Sequence, residues 1–140
     1  MEQNAEILEN AISGSLKIIE QDREKEIISR RFGLTGSKET LEQIGEMLSI
    51  TRERVRQLEK AILIRLQISA EENQIPELAA AEKILIRNLI EMGRVAKISD
   101  LADKVYNRTT TASEKTGLYF IATFSKSLTV VEENDRYNAA

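Results

Sequence analysis

The chain has no cysteine, no histidine, no tryptophan and a single proline, and aromatic residues make up only 4% of its 140 positions. The first two absences exclude disulfides, thiol nucleophiles, zinc-finger chemistry and histidine acid–base catalysis. No apolar run approaches membrane-spanning length, and the N-terminus lacks the basic-then-apolar form of a signal peptide. A soluble cytoplasmic protein without a membrane partner is the expectation. No glycine-rich phosphate loop and no metal-ligand spacing occurs, so no cofactor and no metal is expected, and the chain is not expected to be an enzyme. The acidic groups Asp22/Glu24/Glu26, Glu71/Glu72 and Glu132/Glu133/Asp135 read as helix caps, linker solvation and a turn. Charge is what the chain has in abundance, at 31% of residues, and this composition suits a helix-rich protein of one domain or two small ones.

The net charge of −3 argues against indiscriminate nucleic-acid binding, but its distribution is uneven. Residues 1–21 carry Glu2, Glu6, Glu9 and Glu20 against Lys17. Residues 52–66 carry Arg52, Arg54, Arg56, Lys60 and Arg65 against Glu53 and Glu59. That basic stretch lies in TLEQIGEMLSITRERVRQLEKAILIRL, residues 40–66, which fits the steric template of a helix-turn-helix. Gly45 stands where two backbones approach, and Ser49 is the turn residue. Ile44, Leu48, Ile50, Val55 and Leu58 are apolar where the template needs a core. Thr40 with Gln43 forms a capping box for the first helix, and Thr51 caps the second. With Val55, Leu58, Ile62 and Leu66 inward, the outward stripe is Arg52, Glu53, Arg56, Gln57 and Lys60. Arginine can bond both guanine acceptors, glutamine can bond adenine, and a carboxylate can accept from cytosine N4. The plainer reading of such a stripe is a solvated face with charge pairs along the helix.

The runs RRFGL (residues 30–34), TLEQIG (40–45) and TRERVRQLE (51–59) stand in an order and spacing that resemble region 4 of the bacterial primary-type RNA polymerase sigma factors. The resemblance covers residues 23–66, about a third of the chain. It implies that the second helix reads a promoter −35 element. Arg52, Glu53, Arg56 and Gln57 would then contact bases, while Lys60 and the backbone N–H of Leu41 sit near phosphates. Thr51 and Arg54 complete the expected DNA-binding set. It also implies that the helix over residues 23–32 helps hold the β-subunit flap of RNA polymerase, with Ile27, Ile28 and Phe32 either shared with that partner or simply core. Ser49, where many members have glycine, and Lys60, where a small residue is common, are small departures.

Outside this unit, residues 2–20 predict an amphipathic helix that Ser13-Gly14-Ser15 weakens, either packing on the first domain or contacting another protein. Asp22 is expected to cap the next helix and Gly33 to end it. The polar residues 69–76 predict a linker, since Pro76 disfavours helix before it. Helices are expected over residues 77–92, 100–106 (capped by Ser99) and 114–125, with a loop over 107–113. Strands are expected over 95–98, 128–132 and 136–138, with a turn at 133–135. This order is that of a winged helix. It loosely resembles modules of the HARE-HTH type found in transcription and chromatin proteins, including the polymerase delta subunit, chiefly through IRNLIEMGRVAKISDLADKVY. The chain ends close to where a returning strand would finish, as a piece of a longer protein would.

The expected fold is thus mainly α, a helix-turn-helix bundle followed by a small α+β winged-helix domain. Its segments are an N-terminal helix (1–21), the region 4-like domain (22–68), a linker (69–76) and the winged-helix-like domain (77–140). In the last of these Lys/Arg and Asp/Glu balance at nine each, a thin supply for phosphate binding from Lys115, Thr116, Tyr119, Thr123 and Lys126. The functional expectation is a sequence-specific reader of duplex DNA working beside RNA polymerase. The alternatives are a module that only docks on the polymerase, and the DNA-targeting fragment of a larger enzyme. Target sequence, regulatory sign and oligomeric state are not encoded legibly.

Overall fold

A computed structural model of the chain describes residues 2–34, 36–125 and 127–130. Among these residues there are seven helices and no strand: α1 (Glu2–Ile18), α2 (Asp22–Phe32), α3 (Leu41–Leu48), α4 (Arg52–Glu71), α5 (Pro76–Glu91), α6 (Ile98–Tyr106) and α7 (Ala112–Phe124). None of these seven helices is long and apolar enough to cross a membrane.

Two cores divide the helices. The smaller is Ile27, Ile44 and Val55, all fully buried, with Leu41, Leu48, Ile50 and Leu58 packed around them. It joins α2, α3 and the first half of α4 into a head. The larger draws on α1, α2, α4, α5, α6 and α7, and includes Leu8, Ile62, Leu66, Leu85, Leu118 and Phe120. It forms the body. Phe32 at the end of α2 meets Phe120 of α7 with ring centroids 5.0 Å apart, and Phe120 meets Phe124 edge-on at 5.1 Å. Aromatic pairs at these separations contribute beyond the area they bury.

At 20 residues, α4 is about 30 Å long and serves both cores in turn. Val55 faces the head, whereas Ile62, Leu66 and Ala70 face the body. The stretch over residues 69–76 expected as a linker therefore starts as the last turn of α4, with Ser69 and Ala70 buried. Ile75 is buried in the larger core, and Pro76 takes the first position of α5, where its missing N–H costs nothing.

Gly14 does not interrupt α1. The Ser15 hydroxyl donates to the Ala11 carbonyl one turn back at 2.7 Å, which satisfies it inside a buried helix face. Ala11, Gly14 and Ser15 form a small-residue face toward α5, and the Glu77 carboxylate fills the space above Gly14. The weak spot in sequence is a site of close approach.

Several expected boundaries need correction. Gln21, not Asp22, precedes α2, and Asp22 lies in its first turn, where a carboxylate complements the helix dipole. Ser99 does not cap α6, which begins at Ile98 after Lys97. α7 begins at Ala112, because Thr111 and Glu114 form a second reciprocal capping box. The strand expected over 95–98 is absent: residues 95–97 are irregular and Ile98 is helical. Gly93 and Arg94 both take left-handed backbone (φ 92° and 75°), which turns the chain directly from α5 toward α6. Residues 128–130 are not a strand either, and the rest of the expected hairpin lies outside the described residues.

Candidate nucleic-acid interface

The head is assembled to hold α4 against α3 at a fixed angle. A Cβ on Gly45 would lie 2.7 Å from the Ile50 carbonyl oxygen, so no side chain fits there without moving backbone. Ser49 closes α3 in the left-handed region (φ 61°), and the Ile50 N–H donates to the Gly45 carbonyl at 2.9 Å. Two residues later the Thr51 hydroxyl accepts from the Arg54 N–H at 3.1 Å and starts α4. At the other end of α3, Thr40 and Gln43 exchange both bonds of the capping box, at 3.0 and 2.8 Å. Leu41 follows as the first helical residue, where backbone N–H groups have no helical partner.

Arginines of the RRFGL run brace this arrangement from behind. Arg31 donates to Glu59 on α4 at 3.0 Å, and Arg30 bonds Glu39 at 2.7 Å and Glu26 at 3.3 Å. The Glu39 N–H in turn donates to the Arg30 carbonyl at 2.9 Å. The loop into α3 is thereby pinned to α2. Spacing along one helix does not reveal a pair 28 residues apart, so the Arg31–Glu59 brace goes unnoticed in the sequence.

On the first half of α4, Arg52, Glu53, Arg54, Arg56, Gln57 and Lys60 are exposed, and Thr51 is exposed beside them. Glu53 and Arg56 form a two-pronged pair, Nε to Oε1 at 3.0 Å and Nη2 to Oε2 at 2.7 Å. That hydrogen bonding holds the Glu53 carboxyl below its usual range and raises Arg56. Arg54 donates to Gln57 at 3.5 Å, a long contact that a better acceptor would displace. Arg52 and Lys60 form no salt bridge among the described residues. Leu41, half-buried against the small core, stands at the start of α3 rather than on this stripe. The base-reading candidates thus share one exposed helix face, on which Glu53, Arg56 and Gln57 are already held by pairs within one turn.

Nothing comparable appears on α7. Lys115 donates to the Thr110 carbonyl at 2.8 Å, Thr116 to Ser113 at 3.1 Å and Thr123 to Tyr119 at 2.8 Å. Tyr119 lies against Phe32, with centroids 5.7 Å apart. Gly117, Leu118, Phe120, Ile121, Ala122 and Phe124 bury the rest of the helix. α7 is a core helix, and Lys126 lies outside the described residues. Ile27, Ile28 and Phe32 of α2 are likewise buried inside the chain, at 0%, 0% and 5% exposure.

Residues 21–67 match the family model for sigma-70, region 4. The chain is 39% identical over 61 residues to RNA polymerase sigma factor sigB of Arabidopsis thaliana, and 39% over 57 residues to RNA polymerase sigma factor SigA4 of Synechococcus elongatus. It is 50% identical over 48 residues to RNA polymerase sigma factor RpoD of Helicobacter pylori. These matches cover 43%, 40% and 33% of this chain, but only 11%, 18% and 7% of the respective relatives. No solved structure matches the chain.

Proposed function

Residues 21–67 being a sigma-70 region 4 unit, we propose that the chain binds duplex DNA by inserting the first half of α4 into the major groove, and that it does so in association with RNA polymerase. The observation that carries this reading is the exposed stripe Arg52, Glu53, Arg56, Gln57 and Lys60 on a helix that is braced from behind. In this reading the target is a −35-like promoter element. Arg52, Glu53, Arg56 and Gln57 address base edges, and Lys60, Arg54, Thr51 and the Leu41 N–H lie along the phosphates. The Glu53–Arg56 pair fits the task because its partner atoms are held in register before DNA arrives, which lowers the ordering cost of binding. Association with the β-subunit flap is part of the proposal. Since Ile27, Ile28 and Phe32 are already covered, such a contact uses the exposed rim of α2, including Arg23 and Glu26, rather than those three side chains.

The test is a fluorescence titration of promoter-like and random duplexes at two salt concentrations. Arg56→Ala and Gln57→Ala should each weaken promoter-like binding by about 1–3 kcal/mol and relax preference at one base pair. Lys60→Ala should weaken both duplexes alike and reduce the salt slope by about one. Equal binding of both duplexes, unchanged in an Arg56→Ala/Gln57→Ala double variant, rules the reading out.

A further inference from the structure

α5 has one face in the body and one that none of the described residues covers. Leu78, Ala81, Glu82 and Leu85 are buried, with Glu82 accepting from the Ser125 hydroxyl at the end of α7. On the opposite side Pro76, Ala79, Lys83, Ile86 and Ile90 follow one another at intervals of three and four residues, with Arg87 four after Lys83, so they form a single stripe. Ile90 is 47% exposed, and Val95, just beyond the helix, is 57% exposed. An open depression of about 400 Å³ lies over Ile86 and Ile90, and a second, lined by Pro76, Ala79 and Ile86, continues it toward the start of the helix. From Pro76 to Ile90 the stripe spans about 21 Å, the length of a four-turn helix.

Its charge is net positive in a chain whose net charge is −3. Lys83 and Arg87 form no salt bridge among the described residues, and the carboxylate that lines the depression beside them is Glu91, one turn after Arg87. Glu91 bonds Lys104 of α6 at 2.7 Å, so that pair cancels and Lys83 and Arg87 leave the depression net positive. A nucleic acid would find cations here, but the apolar residues between them offer a phosphodiester nothing. An apolar centre with cations beside it complements an amphipathic helix whose apolar stripe is flanked by carboxylates.

We infer that the outer face of α5 is a docking site for an acidic amphipathic helix of a partner protein, seated on Ile86 and Ile90 and steered by Lys83 and Arg87. The face is separate from the reading side of α4, so the chain can hold DNA and this partner together. The probe is a fluorescein-labelled peptide of about 16 residues with leucines on one side and glutamates flanking them. It is titrated against the full chain by anisotropy, beside a version with lysine in place of glutamate. The acidic peptide should bind at least about tenfold tighter than the basic one. Ile90→Asp, at an exposed position that keeps the fold by circular dichroism, should weaken it about tenfold. Lys83→Glu/Arg87→Glu should reverse the preference between the two peptides.

Equal binding of the two peptides, or no effect of Ile90→Asp, overturns the inference. So does self-association that Ile90→Asp abolishes, which gives the face to a second copy of the chain. Loss of duplex affinity in Lys83→Glu/Arg87→Glu overturns it as well, by making the face a nucleic-acid surface. Failure of Arg56→Ala to affect DNA leaves these peptide results untouched, so the two readings fail separately.

Discussion

The head and the body of this chain solve the same problem with different means. The body buries side chains from six of the seven helices in one continuous apolar core, with aromatic rings at its centre. The head has three fully buried residues, and relies on capping bonds, a backbone contact at Gly45 and the Arg31–Glu59 and Arg30–Glu39 pairs. Apolar burial is strong but non-directional, whereas caps and ion pairs each contribute little and fix angles. The arrangement assigns stability to the body and geometry to the region that carries the exposed stripe of α4. Because α2 and α4 pass through both cores, the head gains stability from a body it could not supply itself.

The strongest test of that division is Phe120→Ala. Phe120 is fully buried and touches both Phe32 and Phe124, so its loss leaves a cavity where the head joins the body. The expected cost is about 3–5 kcal/mol in urea unfolding, a large share of the stability of a domain this size. Head and body should lose protection together. If the head keeps its hydrogen-exchange protection while the body loses it, the head is independent and the shared helices do not couple them.

Gly45→Ala should act the other way. The added Cβ meets backbone, the Ile50 carbonyl, and relief requires α3 and α4 to shift apart. About 1–3 kcal/mol of stability should be lost, concentrated in amides of α3 and the first half of α4. Duplex binding should fall more than this figure suggests, because the stripe on α4 moves. Slow-exchanging amides around Leu118 and Ile121 should hardly change. Equal loss there would make the two cores one cooperative unit.

These two sites also differ in how far the sequence reveals them. The head is legible because its constraints are local: a glycine, a turn residue and two capping threonines at fixed offsets, with apolar positions between. The exposed stripe follows once the inward residues of α4 are known. The body is legible only in part. Helical periodicity finds α5 and α6, yet the partner of α1 is α5, which begins 58 positions after α1 ends, and no local pattern states that. The Ser13-Gly14-Ser15 run looks like a break because Gly is a poor helix former in isolation. In a tight interface the same small residues are an asset. The Thr111–Glu114 box was present in the sequence and hidden by the neighbouring threonines, which read as loop. The strand over 95–98 failed because three apolar residues and a lysine have no neighbouring strand to pair with among the described residues, and strand propensity alone does not hold backbone groups.

Acid titration separates the regions by a smaller margin. In the body, Arg108 grips both oxygens of Glu114 at 2.8 and 2.6 Å, and the Thr111 N–H donates to it at 2.9 Å. These bonds, Arg108 first, hold its carboxyl at about 2 instead of 4.5. A depressed folded-state pKa contributes stability that is fully present above the unfolded value and is lost as pH falls from about 4.5 toward about 2. In Glu114→Gln that acid limb should flatten, with the urea midpoint falling less between about pH 5 and about pH 3 than it does in the parent. In the head, Glu53 is also lowered by its arginine, but it is fully exposed, and Glu53→Gln should leave the limb unchanged. An equal flattening in both variants would show that the head's exposed pair contributes as much as the body's sheltered one.

The smallest effect tests how the two regions end their helices. Both use left-handed backbone, but the body closes α6 with Asn107 (φ 58°) and follows α4 with Asn73 (φ 58°), while the head closes α3 with Ser49 (φ 61°). Asparagine tolerates that region better than other side-chain-bearing residues, whereas serine carries a steric penalty there. Ser49→Gly removes the penalty at the cost of a looser unfolded chain, and should stabilise by up to about 1 kcal/mol. Asn107→Gly, with less strain to relieve, should gain less or nothing in the same urea titration. The added stability at Ser49 should leave duplex affinity unchanged, because glycine keeps the same turn and α4 stays in place. A drop in affinity with Ser49→Gly would mean that serine does more in the head than close α3, and that the strain at this turn belongs to the interface.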